Sequence, residues 1–137
     1  MAVKSNKNPA ALGQPVEAFD PAEVDAVALK AFFNLAGEWG LGREEQITLL
    51  GGPSARTYYR WKAGDVSALP RDTLERISVL LGIYKAIHIL LPDFQRANGW
   101  IKRPNKAFGG ASALGVMLNG QVAHLYEVRR YLDGWRG

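Results

Sequence analysis

An all-helical (all-α) fold is what this chain predicts, on three observations. Apolar residues recur at three- and four-residue steps through most of its length. Alternation of period two never survives more than a few residues. Capping residues stand at the heads of the periodic stretches. At 137 residues the chain suffices for one compact core, or for two small helical units sharing one, and a hydrophobic share of 47% is that of a folded protein. The absence of Cys excludes a disulfide framework and a thiolate metal site.

The elements follow in order. Residues 1–19 mix Lys, Asn, Ala, Gly, Gln and Pro without periodicity and read as a flexible arm. Asp20-Pro21-Ala22-Glu23 opens the first helix, with Asp20 as cap, Pro21 at the first helical position and Glu23 reaching back. Val24, Val27, Ala31, Phe32, Leu35 and Trp39 are expected to share its inward face, and Gly37 and Gly40 to stop it. A short helix from Arg43 to Leu50 is followed by the turn Gly51-Gly52-Pro53. Ser54 then caps a third helix, which runs to Lys62.

Asp72 and Glu75 form a second capping signal. It opens a long apolar helix through Leu74, Ile77, Leu81, Tyr84, Ile87, His88 and Leu91, stopped by Pro92. Beyond it lie a short helix from Asp93 to Asn98 and a loop from Trp100 to Gly110. Another short helix, Ser112 to Leu118, and a final amphipathic one, Gln121 to Leu132, complete the pattern. The last helix turns Val122, Leu125, Val128 and Leu132 inward, and Asp133 to Gly137 is its tail. The expected division is an arm at 1–19, a helix-turn-helix and dimerisation region at 20–91, and a small helical C-terminal domain at 92–137.

A short helix, a Gly-containing turn and a second helix is the helix-turn-helix arrangement. The second helix carries Arg56, Arg60 and Lys62, with no acidic residue until Asp65. These three are candidates for phosphates or guanine edges, with Ser54, Thr57 and Tyr58 on neighbouring groups. The competing reading is a solvated basic helix; in both, Trp61 belongs to the core. One such helix covers few base pairs, so a homodimer on operator DNA is expected, paired through the long apolar helix or the first helix. The net charge of +4 agrees with an anionic partner without requiring one.

Other classes find little support. His88 and His124 sit on apolar helical faces and read as partly buried core residues. Ser112 lacks the setting of a nucleophile elbow, and Gly109-Gly110 lacks a phosphate-loop pattern. The chain is therefore read as no enzyme, with no catalytic residue, metal site or cofactor. Residues 1–14 hold two lysines but no continuous apolar core, and no apolar run is long enough to span a bilayer. A soluble, cytoplasmic protein with no membrane partner is the expectation.

The order of features resembles the MbcA/ParS/Xre family of antitoxins. The resemblance runs from about Val24 to the C-terminus and rests on three groups of residues: Tyr58-Tyr59-Arg60-Trp61; Trp100 with Pro104-Asn105 and Phe108-Gly109-Gly110; and Tyr131-Leu132-Asp133 before Arg136-Gly137. Ala113 departs from it, since the family commonly carries Pro before Leu114, which leaves the start of that short helix less fixed. The resemblance implies a RES-domain toxin as partner, one that consumes or transfers from NAD and whose nucleotide site the antitoxin's C-terminal segment obstructs. It also implies repression of the operon's own promoter.

On this resemblance Arg129, Arg130 and Arg136 are candidates for pairing with acidic groups or phosphates of the toxin, and Tyr131 and Trp135 for filling an aromatic pocket, beside the terminal Gly137. Lys102, Arg103, Asn105 and Lys106 form a second candidate surface, with Phe108 and Trp100 anchored in the core. The alternative is a stand-alone helix-turn-helix regulator whose C-terminal half serves dimerisation or sensing.

Overall fold

The computed structural model describes residues 20–136, so the expected arm at 1–19 and the terminal Gly137 lie outside the described residues. Seven α-helices follow one another there: α1 (Pro21–Glu38), α2 (Arg43–Leu49), α3 (Ala55–Lys62), α4 (Arg71–Leu90), α5 (Phe94–Trp100), α6 (Ala113–Met117) and α7 (Val122–Arg136). A short 3-10 turn, Lys106–Phe108, stands between α5 and α6. Among the described residues the only extended pairing noted is an isolated antiparallel bridge between Pro104 and Ser112.

Local chemistry sets most helix starts. The Asp20 carboxylate accepts the Ala22 N–H at 3.0 Å with Pro21 behind it, and Asp93 accepts the Arg96 N–H at 3.0 Å to open α5. Ser112 accepts the Gly115 N–H at 2.9 Å, so α6 has a defined start at Ala113 without the family's Pro. The second capping signal is corrected. Pro70 occupies the cap position of α4, its carbonyl accepts the Leu74 N–H, and Asp72 pairs instead with Arg76 at 2.8 Å. The last helix also runs further than expected, through Gly134 and Trp135 to Arg136.

Over its first two turns the inward face of α1 is rotated from the expected one. Asp25, Leu29, Phe32, Leu35 and Ala36 are buried, while Val24 and Val27 are 46% and 69% exposed. Asp25 sits inside because its Oδ2 accepts the backbone N–H of Leu69 at 2.8 Å. Phe32, Leu35 and Trp39 are buried as expected, so the difference is confined to the first two turns, where apolar periodicity gives a carboxylate no credit as a core position.

The long helix α4 is the common support, packing against α1, α5 and α7, while α6 packs on α7. Its Ile77, Leu80, Ile83, Ala86 and Ile87 are all at most 1% exposed, and they join a continuous core that runs from Leu29 to Leu132. Arg76, itself buried, donates from Nη2 to the Gly120 carbonyl at 2.9 Å and ties α4 to the turn before α7. Where Arg129 of α7 crosses α4 it lies over Gly82, and a Cβ at that position would overlap its guanidinium.

Candidate functional site

The helix-turn-helix is built by α2, the turn 50–54 and α3. Gly51 and Gly52 have φ of +100° and +81°, consecutive left-handed positions that side chains disfavour. The Gly52 N–H closes the end of α2 on the Ile47 carbonyl at 2.9 Å. Ser54 then caps α3: its Oγ accepts the Thr57 N–H at 3.1 Å and donates to Thr57 Oγ1 at 3.1 Å. Ser54 is exposed and Thr57 half-buried, so both hydroxyls stand at the edge of the helix while serving its start.

Along α3 the side chains divide cleanly. Arg56, Arg60 and Lys62 are exposed; Arg60 has a loose ion pair with Asp65 at 3.7 Å, and the Lys62 ammonium lies 5.8 Å from the Tyr58 ring centroid. Trp61 is buried as expected. Tyr58 is corrected: it is 1% exposed, its hydroxyl donates to Gln46 Oε1 at 2.7 Å, and its ring meets Phe33 edge-on. It holds α3 to α2 and α1 and has no free surface for DNA. Its neighbour Tyr59, 51% exposed, takes the outer position instead. The Tyr59 hydroxyl accepts from Arg43 Nη1 at 3.3 Å, and this bond, followed by the one to Glu44, raises the Arg43 pKa above its ordinary value.

Tyr59 and Arg43 add an exposed, hydrogen-bonded pair beside Arg56 and Arg60 that the sequence reading did not single out. The signal was present in the spacing, because Arg56, Tyr59 and Arg60 stand at i, i+3 and i+4 on one face, whereas Tyr58 shares its face with the core residue Trp61.

At the other end of the chain four aromatic residues come together. Trp100, 8% exposed at the end of α5, stacks on Tyr131 of α7 with ring planes 12° apart and centroids at 6.1 Å. Phe108 meets Tyr131 edge-on at 5.1 Å, and Trp135 lies 6.2 Å from Tyr131 and 6.3 Å from Trp100. Trp135, one turn beyond Tyr131, remains 45% exposed. Trp100 is therefore the buried base of a cluster that Phe108 and Tyr131 half cover and Trp135 leaves open to solvent.

The basic residues proposed alongside are distributed differently. Arg129 pairs with Asp133 at 3.2 Å and crosses towards Gly82 of α4, a flank of α7 that its helical phase separates from Tyr131 and Trp135. Arg130 and Arg136 are exposed. In the loop, Lys102 donates to the Gly40 carbonyl at 3.1 Å, and Arg103 folds back to the Arg96 carbonyl at 3.0 Å. Asn105 caps the 3-10 turn through the Ala107 N–H at 2.9 Å. Lys106 is exposed.

The histidines have local partners. Both are half-buried as expected: His88 meets Asn98 Oδ1 through Nε2 at 3.0 Å and packs between Tyr84 and Phe94, while the Nδ1 of His124 accepts the Gln121 N–H at 3.2 Å at the head of α7. Among the described residues no group of three or more His, Asp or Glu is placed to hold a metal ion, and no helix is long and apolar enough to cross a membrane.

A helix-turn-helix with an exposed basic helix thus shares one core with a small helical domain that carries an aromatic face. Comparison with known proteins matches both parts. Residues 18–82 match the antitoxin Xre-like helix-turn-helix domain, and residues 86–137 match the antitoxin Xre/MbcA/ParS C-terminal toxin-binding domain. The chain is also 46% identical over 127 residues to the uncharacterized protein y4oB of Sinorhizobium fredii (strain NBRC 101917 / NGR234), covering 90% of this chain and 98% of that protein. The chain belongs to the Xre/MbcA/ParS antitoxin family, and a toxin is the partner its C-terminal domain implies. This removes the ground for a stand-alone regulator whose C-terminal half serves only dimerisation or sensing.

Proposed function

We propose that this antitoxin neutralises a RES-domain toxin by covering its NAD site with the end of α7, and represses its own operon as a homodimer on operator DNA. In this reading residues 20–91 hold the DNA-reading and dimer surfaces, and 92–137 the toxin-binding surface. The observation that carries it is the half-exposed Trp135 standing on Trp100 and Tyr131 at the end of a helix. A large aromatic side chain held by packing rather than left to fray loses little freedom on entering a pocket, which is what an interface anchor requires.

The exposed Arg130, Arg136 and Lys106 supply cations for the toxin's acidic groups or phosphates. Lys102, Arg103 and Asn105 shape the loop that presents Phe108 and Lys106. On the DNA side, Arg56, Arg60 and Lys62 serve phosphates and base edges, and the Ser54 and Thr57 hydroxyls stand at the helix start where a backbone phosphate approaches.

Truncation after Asp133 tests the reading. It removes Trp135 and Arg136 and leaves α2 and α3 untouched, so neutralisation of the toxin should be lost while operator binding stays. Neutralisation that survives intact would sink the α7 mechanism. A neighbouring toxin that neither consumes nor transfers from NAD would sink the RES assignment.

A further inference from the structure

We infer that the exposed edge of α1 is a self-pairing surface, on which a second copy of this chain lays its own α1 antiparallel, with the two-fold axis beside Val27. The inference deepens the homodimer part of the function proposed above and names the residues that form it. Its first support is an exposure that the monomer does not explain. Val27 is 69% exposed and Val24 46%, on a helix whose other side is fully used by the core. The long helix α4, the other dimer candidate, buries Ile77, Val79, Leu80, Ile83, Ala86 and Ile87 within its own chain.

The second support is a groove. Ala26, Leu29 and Phe33 of α1 line, with Trp61 and Val66, a depression of about 470 Å³ that adjoins the Val27 stripe through Lys30 and Asn34. It is lined mainly by apolar side chains, and the Lys30 and Lys62 ammoniums stand at it.

The third support, which selects a second copy over another occupant, is charge register. In an antiparallel pair centred on Val27, a residue k positions before the centre on one helix stands level with the residue k positions after it on the other. Glu23 lies four positions before Val27, about 6 Å along the axis, and Lys30 lies three after, about 4.5 Å. Each Glu23 therefore stands within about 1.5 Å axially of the partner copy's Lys30, and the two-fold makes this contact twice. Asp20 and Asn34, seven positions either side, fall level and offer a carboxylate to an amide. Glu23, Val27, Lys30 and Asn34 are all exposed and follow one stripe of the helix. A stripe that is apolar at its centre, acidic at one end and basic at the other is complementary to itself only when reversed.

Sedimentation of the full chain without DNA or toxin tests the surface, with circular dichroism as a check on folding. The wild type is expected to be dimeric, and Val27→Asp to weaken association by about 30-fold or more with unchanged helicity. Glu23→Lys and Lys30→Glu should each weaken it by about 3- to 10-fold, and the two together should restore it, because the swap rebuilds both contacts. Restoration in the double variant is specific to this antiparallel register. A wild type that is monomeric at every concentration overturns the proposal and leaves Val24 and Val27 to a partner of different sequence. A dimer indifferent to Val27→Asp also overturns it, because the contact then lies away from the α1 stripe. Dissociation on removal of residues 1–19, with no effect of the charge variants, assigns the groove to that segment and overturns the register. None of these readings uses DNA, so failure here is separate from failure of operator binding.

Discussion

The carboxylate of Asp25 in α1 accepts the backbone N–H of Leu69, 44 residues away, at 2.8 Å, and both residues are buried. The bond pins the segment between α3 and α4 to α1 through a side chain that no motif contains. Asp25→Ala leaves the Leu69 N–H buried without a partner and is expected to cost about 1–3 kcal/mol in urea unfolding. Asp25→Asn, which keeps an acceptor, should recover part of that. If the Ala variant unfolds like the wild type, the bond contributes nothing and the rotated face of α1 needs another cause.

Gly82 and Arg129 make the opposite prediction. The bare α-carbon of Gly82 lies under the Arg129 guanidinium, the far end of a flexible side chain that is 36% exposed. Gly82→Ala displaces that end and sacrifices at most the Arg129–Asp133 pair, a few tenths of a kcal/mol at such exposure. The gain in helix propensity in mid-α4 is about 0.5–1 kcal/mol. The variant is therefore expected to be slightly more stable than the wild type in urea unfolding. A loss above about 1 kcal/mol would mean that Arg129 cannot move and is a fixed part of the α4–α7 packing.

Tyr58 and Arg60 separate structure from recognition within one helix. Arg56→Ala and Arg60→Ala should each lower the salt slope of operator binding by about one unit without destabilising the fold. Tyr58→Phe should leave that slope unchanged and cost about 1 kcal/mol, because Gln46 loses its donor. A Tyr58→Phe variant with a changed slope and full stability would return Tyr58 to the DNA surface.

Alkaline stability follows from Tyr84. Burial, then its hydrogen bond to Glu38 at 2.5 Å, pushes its hydroxyl up to about 12 from 10.0. Between these values the unfolded chain loses the proton while the folded one keeps it. The contribution is therefore complete below pH 10 and is lost as pH rises towards 12. Stability should fall over that window less steeply in Tyr84→Phe than in the wild type. Tyr126 contributes in the same direction, its hydroxyl raised first by its bond to Glu75. Equal slopes in the two proteins would remove Tyr84 from the account.

Features decided by neighbours in sequence were legible from the sequence. Asp20 and Ser54 cap the helices they precede, Pro92 stops α4, and Trp61 and Trp100 go to the core, because a cap or a helical phase needs only a few adjacent residues. What escaped was decided at a distance. Asp25 turns inward for Leu69, Tyr58 for Gln46, and Arg76 for the Gly120 carbonyl, each polar group buried because a partner stands 12 to 44 residues away. The candidate toxin surface was legible in composition but not in grouping. Tyr131 meets Trp100 and Phe108 and Trp135 meets Trp100, while Arg129, close by in sequence, crosses to the other flank of α7.

The end of α7 carries the last prediction. Trp135→Ala removes the exposed member of the aromatic cluster and leaves Tyr131 stacked on Trp100, so the domain should stay folded while toxin binding weakens by at least about 2 kcal/mol. Tyr131→Ala opens the cluster from within and is expected to lower both stability and binding, because Phe108 and Trp100 lose the ring they pack on. Calorimetric titration of the toxin, paired with thermal unfolding of each variant, separates the two effects. If Trp135→Ala binds as tightly as the wild type, the anchor lies elsewhere, and the exposed Arg130 and Lys106 become the residues to remove next.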